Sequence, residues 1–262
     1  MNARVTFAKK IGDILRNSKD IDILLIEGSV ALGYDDKSSD VDLIAFCTKI
    51  PDTKELSRLL GMNKIELHSR HPGSQMYFNL DYSGSINFVN ISFLSDKINK
   101  YPDVDSDEYH HLTRFLLRTK LVFDKTSKFK EWQKKVSVLP KNLKRDILLQ
   151  NYDNLAHFFL TDKAIDNSLN REDIVHINHI FTTQTKNFLS MIYALNGLML
   201  VHIKWAYKDL DELKIKPPKF SKNMHEIVLK GNSKKDVLTK IKIFQEWLRW
   251  AKSYVDKFNS QK

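Results

Sequence analysis

"IEGSVALGYDDKSSDVDLIAF", residues Ile26–Phe46, sets a Gly-Ser pair ahead of two aspartates, Asp40 and Asp42, with a single valine between them. Apolar runs lie on both sides: IDILLIE leads into Gly28, and VDLIAFC carries the second acid. Their composition predicts two short buried strands joined by the turn chemistry of ALGYDDKSS. On a strand, residues i and i+2 point to one face, so Asp40 and Asp42 would project together while Val41 and Leu43 pack into the core. Carboxylates that close repel each other unless a cation sits between them. A hard divalent ion such as Mg²⁺ suits them, because it takes oxygen ligands and shares its shell with substrate phosphates and water. Gly28 and Ser29, placed directly after a strand, let backbone N–H groups approach phosphate oxygens closely.

Outward from that stretch, residues 3–17 carry Val5, Ile11, Ile14 and Leu15 at helical spacings, which predicts an amphipathic first helix. TKELSRLLG reads as a short helix closed by Gly61. KIELHSR (64–70) and SINFVNISFL (85–94) read as further strands, with Gly73, Asp81 and Gly84 in the loops around them. From about Tyr109 the periodicity is helical throughout, including one long helix over 171–210. The expected fold class is therefore α+β: a mixed sheet with flanking helices over residues 1–124, then a helical bundle over 125–262.

Charge divides along the same line. Residues 1–124 hold 16 Lys+Arg against 18 Asp+Glu, a balance of −2, whereas 125–262 hold 26 against 14, a balance of +12. A basic second half could attract a polyanion such as RNA. Its lysines, however, are scattered as on solvated helix faces rather than clustered with Arg and aromatics. No run approaches the roughly 20 apolar residues that span a bilayer, and the first residues do not resemble a secretory signal, so a cytoplasmic protein without a membrane partner is expected. The single cysteine, Cys47, ends an apolar run and is expected to be a buried, inert thiol.

GSVALGYDDKSSDVDLIAF resembles the hG[GS]…Dh[DE]h signature of the nucleotidyltransferase superfamily with the DNA polymerase β-like fold, and especially its antibiotic (aminoglycoside and lincosamide) branch and related bacterial members. The resemblance covers residues 24–46. It implies a polymerase β-like first domain in which Gly28 and Ser29 hold the β- and γ-phosphates of a nucleoside triphosphate, and Asp40 and Asp42 bind two Mg²⁺ ions. The implied reaction is attack on the α-phosphorus by an acceptor hydroxyl, with ATP as the expected co-substrate and pyrophosphate as the product. Antibiotic resistance would follow if the acceptor is such a drug. RNA, tRNA or a protein side chain, as in toxin–antitoxin members, is the alternative acceptor. A lysine of the helical domain, Lys204 in LMLVHIKWAY, would reach the triphosphate.

The family also supplies a third carboxylate from a neighbouring strand. Here the aligned position is Asn90, with Asn87 as the other register, and neither amide takes a proton. Glu66 from KIELHSR, or Asp81 or Glu108 from a loop, are the acids that could replace it. Without one, the chain would be a nucleotide-binding module rather than an enzyme. His176 and His179 are three apart on a predicted helix but lack the further ligands of a zinc set. His68 and His71, beside Arg70, lie in the same domain as the motif and could meet phosphate. Trp247, Trp250 and Tyr254 recur at helical spacing, which core packing explains.

Overall fold

Asn2 begins the first helix by accepting hydrogen bonds from the N–H groups of Arg4 and Val5. This is a computed structural model that describes residues 2–161 and 163–260. Two compact units divide the chain, one ending at Ser137 and the other starting at Val138.

The first unit is built on a six-stranded mixed sheet. Helix α1 (Ala3–Leu15) precedes β1 (Ile21–Glu27), the short α2 (Gly28–Leu32) and β2 (Val41–Cys47). Then follow α3 (Thr53–Leu60), β3 (His68–Arg70), β4 (Gly73–Asn79), β5 (Ser83–Asn90), α4 (Ile91–Lys100) and α5 (Ser106–Leu112). A π-helical turn (Thr113–Leu117), β6 (Lys120–Asp124) and α6 (Phe129–Lys135) complete the unit. The strand order is β3-β4-β5-β2-β1-β6, with β2 and β5 parallel and the other pairs antiparallel.

Strand parity divides the sheet into two faces. Leu24 and Ile26 of β1, Val41, Leu43 and Ala45 of β2, Met76 and Phe78 of β4, and Ile86 and Phe88 of β5 share a core with Phe7, Ile11 and Leu15 of α1 and Leu56 of α3. The alternate residues, Glu27, Asp42, Ser85, Asn87, Gln75 and Tyr77, therefore face the opposite side. The apolar part of that second side is sealed by Phe46 against Phe115, edge to face at 5.5 Å.

The second unit is helical: α7 (Lys141–Ala156), a π-helical turn (His157–Thr161), α8 (Ala164–Asn170), α9 (Ile174–Leu195), a 3₁₀ turn (Ile203–Trp205), α10 (Ala206–Asp209), α11 (Phe220–Leu229) and α12 (Lys234–Asn259). Stacked rings form its centre, Phe188 on Trp247 and Phe159 on Phe244, each at 4.3 Å. Trp247 is thus a core residue, as its spacing predicts. No helix among the described residues is long and apolar enough to cross a membrane.

The α+β architecture agrees with the sequence expectation, but several elements differ. Residues 64–67 are irregular, so only His68–Arg70 of the expected 64–70 strand pairs. The 85–94 strand ends at Asn90, whose side chain accepts from the Ser92 N–H and starts α4. The segment around Gly73, expected as loop, is the strand β4, and residues 120–123, expected as the end of a helix, belong to the strand β6. The long helix stops at Leu195, after which Gly197 turns with φ +74.

Candidate active site

The turn between β1 and α2 places the motif. Gly28 has φ +68, a left-handed conformation that side chains resist, and a Cβ built there would lie 3.4 Å from Asp42 Oδ2. Glycine therefore lets the strand-to-helix backbone pass directly over an acid of the next strand. Ser29 follows, largely buried, and its carbonyl accepts the Tyr34 N–H that closes the turn.

Asp42 pairs with Glu27 across β1–β2 and with Ser85 across β2–β5. Ser85 Oγ donates to Asp42 Oδ1 at 2.7 Å, which fixes the carboxylate's orientation and leaves its other oxygen toward Gly28. Asp40 precedes β2, is exposed, and its carboxylate has no hydrogen-bond or ion-pair partner among the described residues. The loop that delivers it is tied down from α1. Arg4 Nε donates to the Ser39 carbonyl at 2.8 Å, its NH2 donates to the Lys37 carbonyl at 2.9 Å, and Asn2 donates to Asp35 at 2.8 Å. Asp36 closes the loop internally, accepting from the Ser38 N–H at 2.9 Å and from the Ser38 hydroxyl at 2.7 Å.

A polar network extends from Glu27 across the same sheet face. Arg114, presented by the π-helical turn, grips Glu27 with Nε and NH2 at 3.0–3.1 Å. Asn87 Nδ2 donates to Glu27 Oε1 at 2.9 Å, and its Oδ1 accepts from Arg70, which also donates to Gln75. Burial raises the Glu27 carboxyl above the usual carboxylate range; Arg114 pulls it down and Asp42 pushes it up.

The expected site residues separate into those the sheet brings together and those it does not. Gly28, Ser29 and Asp42 meet at one end of the β1–β2 pair, and Asp40 leads into it. Asn90 stands opposite Cys47, five positions along β5 from the Ser85–Asp42 pair, which at about 3.3 Å per residue is roughly 17 Å away. Its amide caps a helix instead. Glu66 lies on the irregular segment, exposed and bound to Lys64 at 2.6 Å, which holds its carboxyl low. Glu108 is committed to the α5 capping box and to Lys100, and Asp81 sits exposed on the β4–β5 turn. Lys204 belongs to the second unit, on a short 3₁₀ turn rather than a long helix, with its ammonium 4.9 Å from the centroid of Trp205. Cys47 is fully buried and its thiol is pushed up by desolvation, as an inert side chain would be. His176 Nδ1 bonds the Ser168 hydroxyl at 2.7 Å.

Glu27 and Arg114 are the additions the structure makes. An acid ending an apolar strand just before Gly-Ser was a visible signal for Glu27. Nothing in HHLTRFLLRTK marked Arg114, because its reach depends on a π-helical turn inside a segment that reads as ordinary helix.

No group of three or more His, Cys, Asp or Glu poised for a metal occurs among the described residues. Magnesium makes a smaller demand, since it is commonly held by one or two carboxylates together with substrate phosphates and water. The partnerless Asp40 carboxylate, and the Asp42 carboxylate beside Gly28, are oxygen donors of the kind that demand calls for.

No family model and no curated protein matches the chain. Among solved structures, a nucleotidyltransferase-like protein from Exiguobacterium sibiricum aligns over 97% of this chain and 78% of its own, at 9% identity and a TM-score of 0.42. A likeness that distant assigns no role to any residue, so function has to be argued from the site itself.

Proposed function

We propose that the chain is a Mg²⁺-dependent nucleotidyltransferase that moves a nucleoside monophosphate, AMP from ATP, to a hydroxyl of a small-molecule acceptor and releases pyrophosphate. The observation that supports this most is the abutment of a left-handed Gly28 turn on Asp42 Oδ2. Backbone N–H groups at such a turn suit phosphate oxygens, and they would then receive a triphosphate beside an oxygen suited to the accompanying cation. The sequence signature of the polymerase β-like superfamily over residues 24–46 supports the same reading.

Bound Mg²⁺ would neutralise phosphate charge and stabilise the entering and leaving oxygens. Asp42 and Asp40 would hold it, Asp42 in an orientation fixed by Ser85. Gly28 and Ser29 would receive the β- and γ-phosphates. The acceptor oxygen bonds to the α-phosphorus as the bond to pyrophosphate breaks. The acceptor's proton goes to Glu27, whose carboxyl is raised by burial toward the range that suits a general base. Positioning and charge carry most of the acceleration.

The test is calorimetric titration of ATP, GTP, CTP and UTP with and without Mg²⁺, followed by an assay of pyrophosphate release with hydroxylated acceptors. Binding that requires Mg²⁺ and is lost in Asp40→Ala/Asp42→Ala is expected. Triphosphate binding unaffected by that double substitution would refute the site.

One observation favours a second reading. Ser85 and Asn87 occupy the β5 positions beside Asp42, and Arg114 already neutralises Glu27. A nucleotide-binding module without transfer would bind Mg·ATP in the same titration and release no pyrophosphate with any acceptor, RNA included.

A further inference from the structure

We propose that the helical unit holds a separate pocket for an amphipathic carboxylate, a molecule with an apolar body and one anionic group, which Lys240 receives. The site lies wholly within residues 178–240 and is independent of the nucleotide reading.

A cavity of about 540 Å³ opens between α9, α11 and α12, within the size range of small-molecule sites. Phe181, Leu189, Met224 and Ile227 give it apolar walls. Among the polar residues that also line it, Lys240 of α12 is the most deeply set cation. It is only 3% exposed, yet its ammonium has no carboxylate within ion-pair distance among the described residues. What it does have is a long 3.4 Å hydrogen bond to Asn232 Oδ1 and the face of Phe181 at 5.3 Å. Lys230, also on the lining, is by contrast already bound to Glu226 at 2.6 Å.

A buried ammonium is costly unless it is paired and hydrogen-bonded. Desolvation lowers the Lys240 pKa, with the more distant Asp236 acting against it. Asp236 itself accepts from the Ser233 hydroxyl at 2.6 Å as part of the α12 cap. An anionic group entering the cavity would supply the missing partner in a low-dielectric setting where the attraction is strong. The hydrocarbon walls would take the ligand's body and add affinity with chain length. A cationic ligand would meet Lys240 as a like charge.

The test uses the full chain and three probes of equal chain length: decanoate, decanol and decylamine, each titrated calorimetrically. Decanoate is expected to bind at least about tenfold more tightly than decanol, with decylamine weakest. Lys240→Met, similar in length and neutral, should bring decanoate down to the level of decanol. Val228→Trp fills the mouth from an exposed position, so it keeps the fold and should abolish binding of both. Equal affinity for acid and alcohol, no saturable binding of decanoate, or decanoate binding that survives Val228→Trp would each overturn the proposal. If Lys240→Met does not fold, the ranking of the three probes and the Val228→Trp result still decide it.

Discussion

Ser85 donates its hydroxyl hydrogen to Asp42 at 2.7 Å across the parallel β2–β5 pair, whereas Asn90, five positions along the same strand, caps a helix. An acid introduced at Ser85 would therefore stand against Asp42, and one at Asn90 would stand at a helix N-terminus. Ser85→Asp is expected to lower stability by about 1–2 kcal/mol through like-charge repulsion. Millimolar Mg²⁺ should restore much of that loss, because a ligand that binds only the folded state stabilises it. Asn90→Asp should be close to neutral, since either residue caps well, and should respond to Mg²⁺ no more than the wild type does. Thermal melts of both variants with and without the ion check this; an Mg²⁺ response confined to Asn90→Asp would contradict the register argument.

The Glu27–Arg114 pair gives a prediction with a pH signature. Removing Arg114 leaves a desolvated carboxylate with only Asn87 to stabilise its charge, and Arg114→Ala is expected to cost about 2 kcal/mol at pH 7. Glu27 already titrates above its ordinary value, and losing Arg114 raises it further. The folded state then holds its proton more tightly than the unfolded chain. The variant's deficit is thus small below the unfolded value near 4.5 and grows as pH rises through the elevated folded value. Urea denaturation at pH 4.5 and pH 8, as assay conditions of about those values, should show the larger loss at the higher pH. For chemistry, Glu27→Gln should lower pyrophosphate release by about a hundredfold or more while Mg·ATP still binds, the size expected for losing a general base.

Gly28→Ala tests the turn itself. A side chain in the left-handed region costs about 1–2 kcal/mol, and the new methyl would sit 3.4 Å from Asp42 Oδ2. A lower melting temperature and weaker Mg·ATP binding are expected together. The same substitution at Gly33, where φ is +75 but the new methyl would meet no neighbouring group within 4 Å, should lower stability similarly and leave nucleotide binding intact. Comparing the two variants separates strain from crowding at the site.

The strand pair around Asp42 was legible because its apolar runs, Gly-Ser turn and alternating acids are local signals that agree with one another. The β5 residue opposite Asp42 was not, because register is a non-local property: sliding β5 by a few residues exchanges Ser85 for Asn87 or Asn90 opposite the motif, and the sequence SINFVNISFL tolerates each. Local chemistry also misplaced residues 120–123. KLVF follows a helical pattern without a break, and only pairing with β1 makes it a strand. Arg114 was hidden for the same reason as that strand, since its path to Glu27 runs through the π-helical turn that leads into it.

Asp124, at the end of β6, locks the turn into α6 and yields the last prediction. Its two oxygens accept from the N–H groups of Thr126, Ser127 and Phe129 and from the Thr126 hydroxyl, all at 2.7–3.0 Å. Burial alone would raise this carboxyl, but those hydrogen bonds outweigh it and hold the group below its ordinary value of 3.8. The folded state thus favours the ionised form, and the stability this confers is complete above 3.8 and lost as pH falls through the lower folded value. Asp124→Ala should cost about 2 kcal/mol at pH 7, the scale of hydrogen bonds to a charged group. The gap between wild type and variant should narrow as the medium is acidified past that point, as urea midpoints at neutral and strongly acidic pH would report. A gap that does not change with acid would mean that the turn is held by the packing of Phe129 rather than by the carboxylate.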